Sequence, residues 1–229
     1  MKFKVQTGEL LSAMNIVTRA LVSKPIQPIL DGVLFEVNET VATLTASDGS
    51  MTIRAEVNAL TDKPGAALFP GRILNDLTKR LPGNEATFTQ NGNNCVIQSG
   101  RSRTTLNLME AAAYPAQQTQ DGENTIEIPQ ETLRAMIDRV TFALSADESR
   151  QVLTGVLVTA QNGRLELVAL DGFRMAIARA ETDFDGELTR IVPGRAMNEL
   201  CRALSGGESA CALTFGGNRM TATFGGASL

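Results

Sequence analysis

Two Asp-Gly pairs, Asp48-Gly49 and Asp171-Gly172, are the first places where this chain could do chemistry. A carboxylate there could act as a general base, or it could only shape a turn. Both pairs precede strand-like runs at matching places, and Asp-Gly supplies the positive φ of a tight hairpin. That favours the turn. Arg72 and Arg195 open two helix-like segments. A cation at a helix start opposes the helix dipole, so local stability does not explain it. Phosphate binding would, and so would pairing with a nearby carboxylate. Gly100 to Arg103 (GRSR) is basic but flanks a strand and also reads as a solvated turn. The catalytic repertoire is otherwise thin. The chain has no histidine, which removes the commonest general base and metal ligand. Its cysteines, Cys95, Cys201 and Cys211, are odd in number and form no CxxC, so they read as reduced packing residues. No phosphate-binding glycine loop, HExxH, zinc spacing or GxSxG motif is present, and no cofactor or metal is expected.

The elements that position these residues come twice. The run Pro70 to Leu81 (PGRILNDLTKRL) returns 123 residues later as Pro193 to Leu204 (PGRAMNELCRAL). The same shift carries Leu30, Gly32, Val33 and Leu34 onto Leu153, Gly155, Val156 and Leu157, and Asp48-Gly49 onto Asp171-Gly172. No gap is needed from about Leu10 to Glu85. A register kept this long means one fold used twice, because a one-residue slip in a strand would flip its buried face.

Each copy opens with an alternating strand, Lys2 to Val5 or Thr125 to Ile128. Helical spacing follows at Leu10, Met14, Val17 and Leu21, and at Leu133, Ile137, Val140 and Leu144. Three strands, a short strand ending in proline, a second helix and further strands complete the unit. The pattern predicts an α+β fold of duplicated domains, each with antiparallel sheet on one side and two helices on the other. The polar stretch Glu110 to Asn124, containing Pro115, reads as the linker. The domains are expected at residues 1–120 and 121–229. In the second copy Arg219 to Phe224 matches the penultimate strand, and the sequence ends at Leu229 where a last strand would begin. The second copy is therefore expected to lack that strand, as a truncated chain would.

Composition bounds the function. Hydrophobic residues make up 43% and charged residues 20%, which suits a globular chain. No apolar run approaches the ~18 residues of a membrane span, and the start lacks a signal peptide's apolar core; a cytoplasmic location without membrane partners is expected. Net charge is −4, against a protein that coats nucleic acid with its whole surface. The four helical segments nevertheless carry a surplus of positive charge and the remainder is acidic. With no Trp and one Tyr, an aromatic platform for base stacking is not expected.

The copies also differ. After the matched glycines the first has Ser50-Met51-Thr52 and the second Phe173-Arg174-Met175. Phe and Met beside Arg suit an adaptable apolar docking surface, or core packing of Phe173.

Six elements then agree, in order and spacing, with one family: MKFKV, KPIQPIL (Lys24 to Leu30), the PGR helix, IQSGRSR (Ile97 to Arg103), ESRQVLTGV (Glu148 to Val156) and VALDGFRMA (Val168 to Ala176). The chain resembles the bacterial sliding clamps, the beta subunits of DNA polymerase III, over the first two of their three domains. The resemblance implies the DNA-clamp fold and a non-catalytic role. Three-domain chains form a head-to-tail homodimer, a ring that encircles double-stranded DNA and tethers the polymerase. Implied partners are the DNA polymerase III catalytic subunit, the clamp-loader complex, and other polymerases and repair proteins carrying short apolar clamp-binding peptides. By matched position, Lys24, Arg72, Arg150 and Gln151 are expected near DNA. Leu153, Leu170, Gly172, Phe173, Arg174 and Met175 are expected to form one wall of the peptide pocket. Asp147 departs from the neutral or basic residue expected beside DNA. A peptide-docking module that does not encircle DNA is the competing reading, and an enzyme using Asp or Arg residues the third.

Overall fold

A computed structural model describes residues 1–25, 27–115, 122 and 124–229. The chain divides into two compact units, Met1–Gln117 and Gln118–Leu229. The expected boundary between 120 and 121 lies outside the described residues.

In the first unit β1 (Lys2–Gln6) runs straight into α1 (Thr7–Val17). Then come β2 (Gly32–Val37), β3 (Val41–Ser47), β4 (Thr52–Lys63) and β5 (Gly65–Pro70), followed by α2 (Gly71–Thr78). β6 (Glu85–Asn91), β7 (Asn94–Ser99) and β8 (Ser102–Asn107) finish the unit. All pairings are antiparallel, in the order β8-β7-β6-β1-β4-β3-β2-β5. Alternation along β2 sends Val33 and Phe35 to one face and Leu34 to the other. α1 packs on β3 and β4, α2 on β2 and β5, and the helices on each other. Buried Leu10, Ala13, Met14 and Val17 of α1 and Leu74 of α2 make that contact apolar. Phe3, Phe35, Phe69 and Phe88 cluster at the centre, with Phe3 and Phe88 stacked at 4.8 Å.

The second unit repeats the plan: β9 (Asn124–Pro129), α3 (Gln130–Thr141), β10 (Gly155–Gln161), β11 (Arg164–Leu170), β12 (Met175–Glu181), β13 (Leu188–Pro193), α4 (Gly194–Ala203), β14 (Ala210–Gly216), β15 (Arg219–Phe224) and β16 (Ala227–Ser228). The pairing register survives the 123-residue shift. Gly32 pairs with Pro70 and Leu34 with Thr45; Gly155 pairs with Pro193 and Leu157 with Val168. Gly71 and Gly194 show why the second helix of each unit opens on glycine. A Cβ on Gly71 would sit 2.6 Å from Leu21 Cδ1 and 2.9 Å from the Asp31 carbonyl oxygen. One on Gly194 would meet Leu144 Cδ1 and the Thr154 carbonyl oxygen, both at 2.6 Å.

Three features depart from expectation. In the first unit β4 runs twelve residues and its last turns pair with β1, from Val5 against Ala59 to Lys2 against Lys63. β12 stops after seven, and β9 pairs, among the described residues, with β14. The second unit therefore has two four-stranded sheets, β12-β11-β10-β13 and β16-β15-β14-β9, in place of one ladder. Asp183, Asp185 and Gly186, all poor strand formers, occupy the stretch after β12. The last strand expected to be missing from the second copy is present in short form: β16 pairs Ser228 with Thr223 and Ala227 with Phe224. Leu229 and Ala222 then exchange backbone hydrogen bonds at 2.8 and 2.9 Å. Finally, the presumed linker starts as packed structure. Ala111–Ala113 form a 3-10 turn and Tyr114 is buried; residues 116–121 and 123 of that stretch lie outside the described residues.

Candidate functional site

The β11–β12 hairpin carries the residues singled out from sequence, and Asp171 shapes it. Its Oδ1 accepts the backbone N–H of Phe173 at 2.9 Å and of Arg174 at 3.0 Å. Gly172 between them has φ +96°, the left-handed region that glycine enters without strain. These two amide donors, then the Arg174 side chain, hold the Asp171 carboxyl below its usual range. Asp48 does the same work in the first unit, accepting Ser50 N–H and Met51 N–H at 2.8 Å each. The carboxylates of both Asp-Gly pairs are thus committed to turns.

What the two turns present is opposite in kind. In the first unit Ser47 Oγ accepts the Gly49 N–H at 3.1 Å and lies 2.9 Å from Thr52 Oγ1, and Met51 is buried. In the second unit Ser47 and Thr52 are replaced by Leu170 and Met175, again direct cross-strand partners. Phe173 is 100% exposed and Met175 is exposed too. Core packing of Phe173 is thereby ruled out. Arg174 Nε bonds Asp171 Oδ2 at 2.9 Å, and its guanidinium carbon lies 5.6 Å from the Phe142 ring centroid, within cation–π range. Leu153 and Leu170 are half-buried.

Arg150 belongs to this corner. A Cβ on Gly172 would meet its Nη1 at 3.6 Å. Asp147, odd for a DNA contact, forms the turn that presents it: Oδ1 accepts Ser149 N–H at 3.0 Å and Ser149 Oγ–H at 2.6 Å, with Arg150 Nε 3.9 Å from Oδ2. The serine hydroxyl, then its amide, lower the Asp147 pKa. Gln151 is exposed beside it. The structure thus brings Arg150, expected at DNA, next to the expected peptide pocket.

Lys24 and Arg72 lie at one corner of the first unit. Arg72 Nη2 donates to the Val22 carbonyl at 2.7 Å and Nε to Asp31 Oδ1 at 3.2 Å. The carboxylate pairing raised from sequence is therefore made, and Arg72 ties down the loop from which exposed Lys24 projects. Phe142 and Val152, both exposed, are not among the residues expected at the site. The repeat held a signal for one: Phe142 falls on Arg19 of the first copy.

Burial disfavours the thiolate at all three cysteines. Burial pushes Cys95 up to about 11 and Cys211 up to about 12. No cluster of three or more His, Cys, Asp or Glu side chains able to hold a metal occurs among the described residues, and no helix among them is long and apolar enough to cross a membrane.

Comparison with known proteins bears on both units. Residues 1–118 match the model of the DNA polymerase III beta subunit N-terminal domain, and residues 127–229 that of its central domain. The beta sliding clamp of Salmonella typhimurium is 31% identical over 228 residues, covering 98% of this chain and 62% of the relative. That of Escherichia coli K12 gives the same figures. Among solved structures, the DNA polymerase III subunit beta of Pseudomonas aeruginosa superposes with TM-score 0.94 at 29% identity, over 100% of this chain and 63% of that one. The Thermotoga maritima beta subunit gives 0.91 at 28%, over 99% and 62%. The chain thus spans under two thirds of the length of these relatives. A repeated unit, the same pairing register in both copies and two domain models matched in their proper order leave one assignment: the chain belongs to the DNA polymerase III beta subunit family, the bacterial sliding clamps, of which it carries the N-terminal and central domains.

Proposed function

We propose that this chain forms part of a processivity clamp, a non-catalytic ring around duplex DNA that tethers the replicative polymerase, with residues 1–120 and 121–229 as its first two clamp domains. The observation that carries the reading is the shared register of the two units, one fold repeated as ring symmetry requires. Attraction to phosphate is independent of sequence and weakens with salt, so Lys24, Arg72, Arg150 and Gln151 would hold DNA loosely while closure supplies persistence. The exposed hairpin with Phe173, Arg174 and Met175 would receive short apolar peptides from the polymerase, the clamp loader and repair proteins. A Pseudomonas aeruginosa sliding clamp has been solved bound to griselimycin, which supports a ligand site on this fold. The proposed setting is the cytoplasm.

The test is topological. The complete protein, loaded on nicked circular DNA, should be retained through gel filtration and released when the circle is cut. Equal retention before and after cutting would favour the peptide-docking module that does not encircle DNA.

A further inference from the structure

The 123-residue repeat sets Phe142 on Arg19 and Arg174 on Met51. A cation and an apolar side chain thus trade places between the copies. The positions are equivalent in the fold. Arg19 and Phe142 follow the first helix of each unit, and Met51 and Arg174 stand just before β4 and β12. On the second unit the two positions meet: the Arg174 guanidinium carbon lies over the Phe142 ring, 5.6 Å from its centroid. A reversal at two touching positions marks the pair as one unit. The contact is also separate from the stretch that covers the first unit. There Tyr114 closes over Leu30, Leu34 and Leu68, and Met51 lies outside that cluster.

The guanidinium is held from two directions. Its Nε donates to Asp171 Oδ2 at 2.9 Å, and the Phe142 ring attracts the cation from the side. Asp171 cannot follow a moving arginine, because its Oδ1 accepts the Phe173 and Arg174 amides. With Nε engaged, the end of the guanidinium still offers Nη1 and Nη2. Neither makes a hydrogen bond or ion pair among the described residues. Two such donors in one plane match the two oxygens of a carboxylate. Phe173 precedes Arg174 and Met175 follows it, both exposed. An anion on the fork therefore has apolar side chains on either side of it along the chain. A DNA phosphate would leave them uncovered, whereas an acidic residue inside an apolar peptide would cover them.

We propose that Phe142 is a positioning residue for peptide docking: with Asp171 it holds the Arg174 guanidinium as a preset fork for an acidic side chain within an otherwise apolar partner peptide. A loose arginine loses rotamer freedom on pairing, which is why exposed ion pairs contribute little. A fork fixed in advance avoids that loss. Phe173 and Met175 supply affinity, and Arg174 selects among apolar peptides. The inference deepens the peptide-docking part of the proposed function and rests on it for the partner's class; the coupling of Phe142 to Arg174 comes from the structure and the repeat.

The probes are two apolar polymerase-tail peptides, amidated at the C-terminus and differing only by Asp or Asn at one internal position. Each is titrated by calorimetry into the wild-type protein, Phe142→Leu and Phe142→Tyr. The wild type should favour the Asp peptide by about fivefold or more, and by less as salt is raised. Phe142→Leu keeps an apolar side chain without the ring, and the preference should fall to within about twofold. Phe142→Tyr keeps the ring face and should retain the preference. NMR of the Arg174 Nε–H reads the free protein: its resonance should move in Phe142→Leu and stay close to wild type in Phe142→Tyr. Equal affinities for the two peptides in the wild type, a preference that survives in Phe142→Leu, or an unmoved Nε–H would each overturn the proposal. So would equal weakening of both peptides together with a lowered Tm, the mark of a merely structural ring. Loss of duplex-DNA affinity in Phe142→Leu with the peptide preference intact would put a phosphate on the fork instead. Binding of neither peptide sinks the docking reading and this proposal together. Equal binding of both, weakened alike by Phe173→Ala, leaves docking standing and sinks this proposal alone.

Discussion

Replacing Phe173 by alanine separates docking from folding. The side chain is 100% exposed, and its backbone is held by the Asp171 carboxylate at 2.9 Å, a bond that does not involve the ring. The change in folding stability should stay within about 0.5 kcal/mol, the range of surface substitutions. Binding is another matter. A ring that passes from full exposure to burial under a docked peptide contributes about 1.5–3 kcal/mol, which is about 10- to 150-fold in Kd. Calorimetric titration with an apolar polymerase-tail peptide reads the second quantity, and thermal unfolding of the same samples reads the first. Ser50→Ala, at the repeat-equivalent position of the first unit, should change neither. An unaltered Kd in the Phe173→Ala protein would refute the docking role. A fall of more than a few degrees in Tm would show that the ring packs against the fold after all.

Two further outcomes follow from the packing. Gly71→Ala and Gly194→Ala each force a Cβ against a carbonyl oxygen and a leucine methyl, so each should destabilise the protein by about 1–3 kcal/mol in denaturant melts. Wild-type stability at either site would contradict the close approach of helix and loop there. Tyr114 is the one tyrosine in the chain, and burial pushes its phenol up to about 12. The fold favours the neutral form, so this stabilisation is complete below pH ~10, the unfolded value, and fades as pH rises towards the folded value. Ultraviolet titration should find phenolate forming near 12 and not near 10, and Tyr114→Phe should lose that part of the alkaline destabilisation.

Much of the fold was legible because burial constrains register. Val33 and Val156 must point inward beside the helices, and a single inserted residue would have turned them out. That is why the 123-residue offset in the sequence reappears as identical pairing of Gly32 with Pro70 and Gly155 with Pro193. The break between β9 and β12 was less legible, since it depends on where β12 stops, and Asp183, Asp185 and Gly186 only bias that point. β16 leaves no trace in the sequence because two paired residues make no periodic pattern. At the site, Phe173 to Met175 stood out through the copy difference. Arg150 did not, because its approach to Gly172 is set by the Asp147 turn and by no periodicity. Tyr114 reads as linker in the sequence because a single aromatic in a small, polar stretch gives no hint of the leucines beneath it.

The two units therefore diverge where physics leaves them free to do so. Inward positions are held by packing against the helices, and the glycines that open α2 and α4 are held by a carbonyl and a leucine. Outward positions face no such demand. On the first unit the row Leu34–Leu68 is closed by the chain's own Tyr114, and the hairpin beside it is filled by the Ser47 and Thr52 hydroxyls, so nothing is left for a partner to gain. On the second unit the hairpin carries exposed Phe173 and Met175, with Arg174 held between Asp171 and Phe142. A hairpin lined by hydroxyls on one copy and by apolar side chains on the other shows that these positions are not a requirement of the shared fold. Exposing Phe173 and Met175 carries a solubility cost that an occupant offsets, which is why the hairpin of the second unit, and not that of the first, is where a peptide should dock.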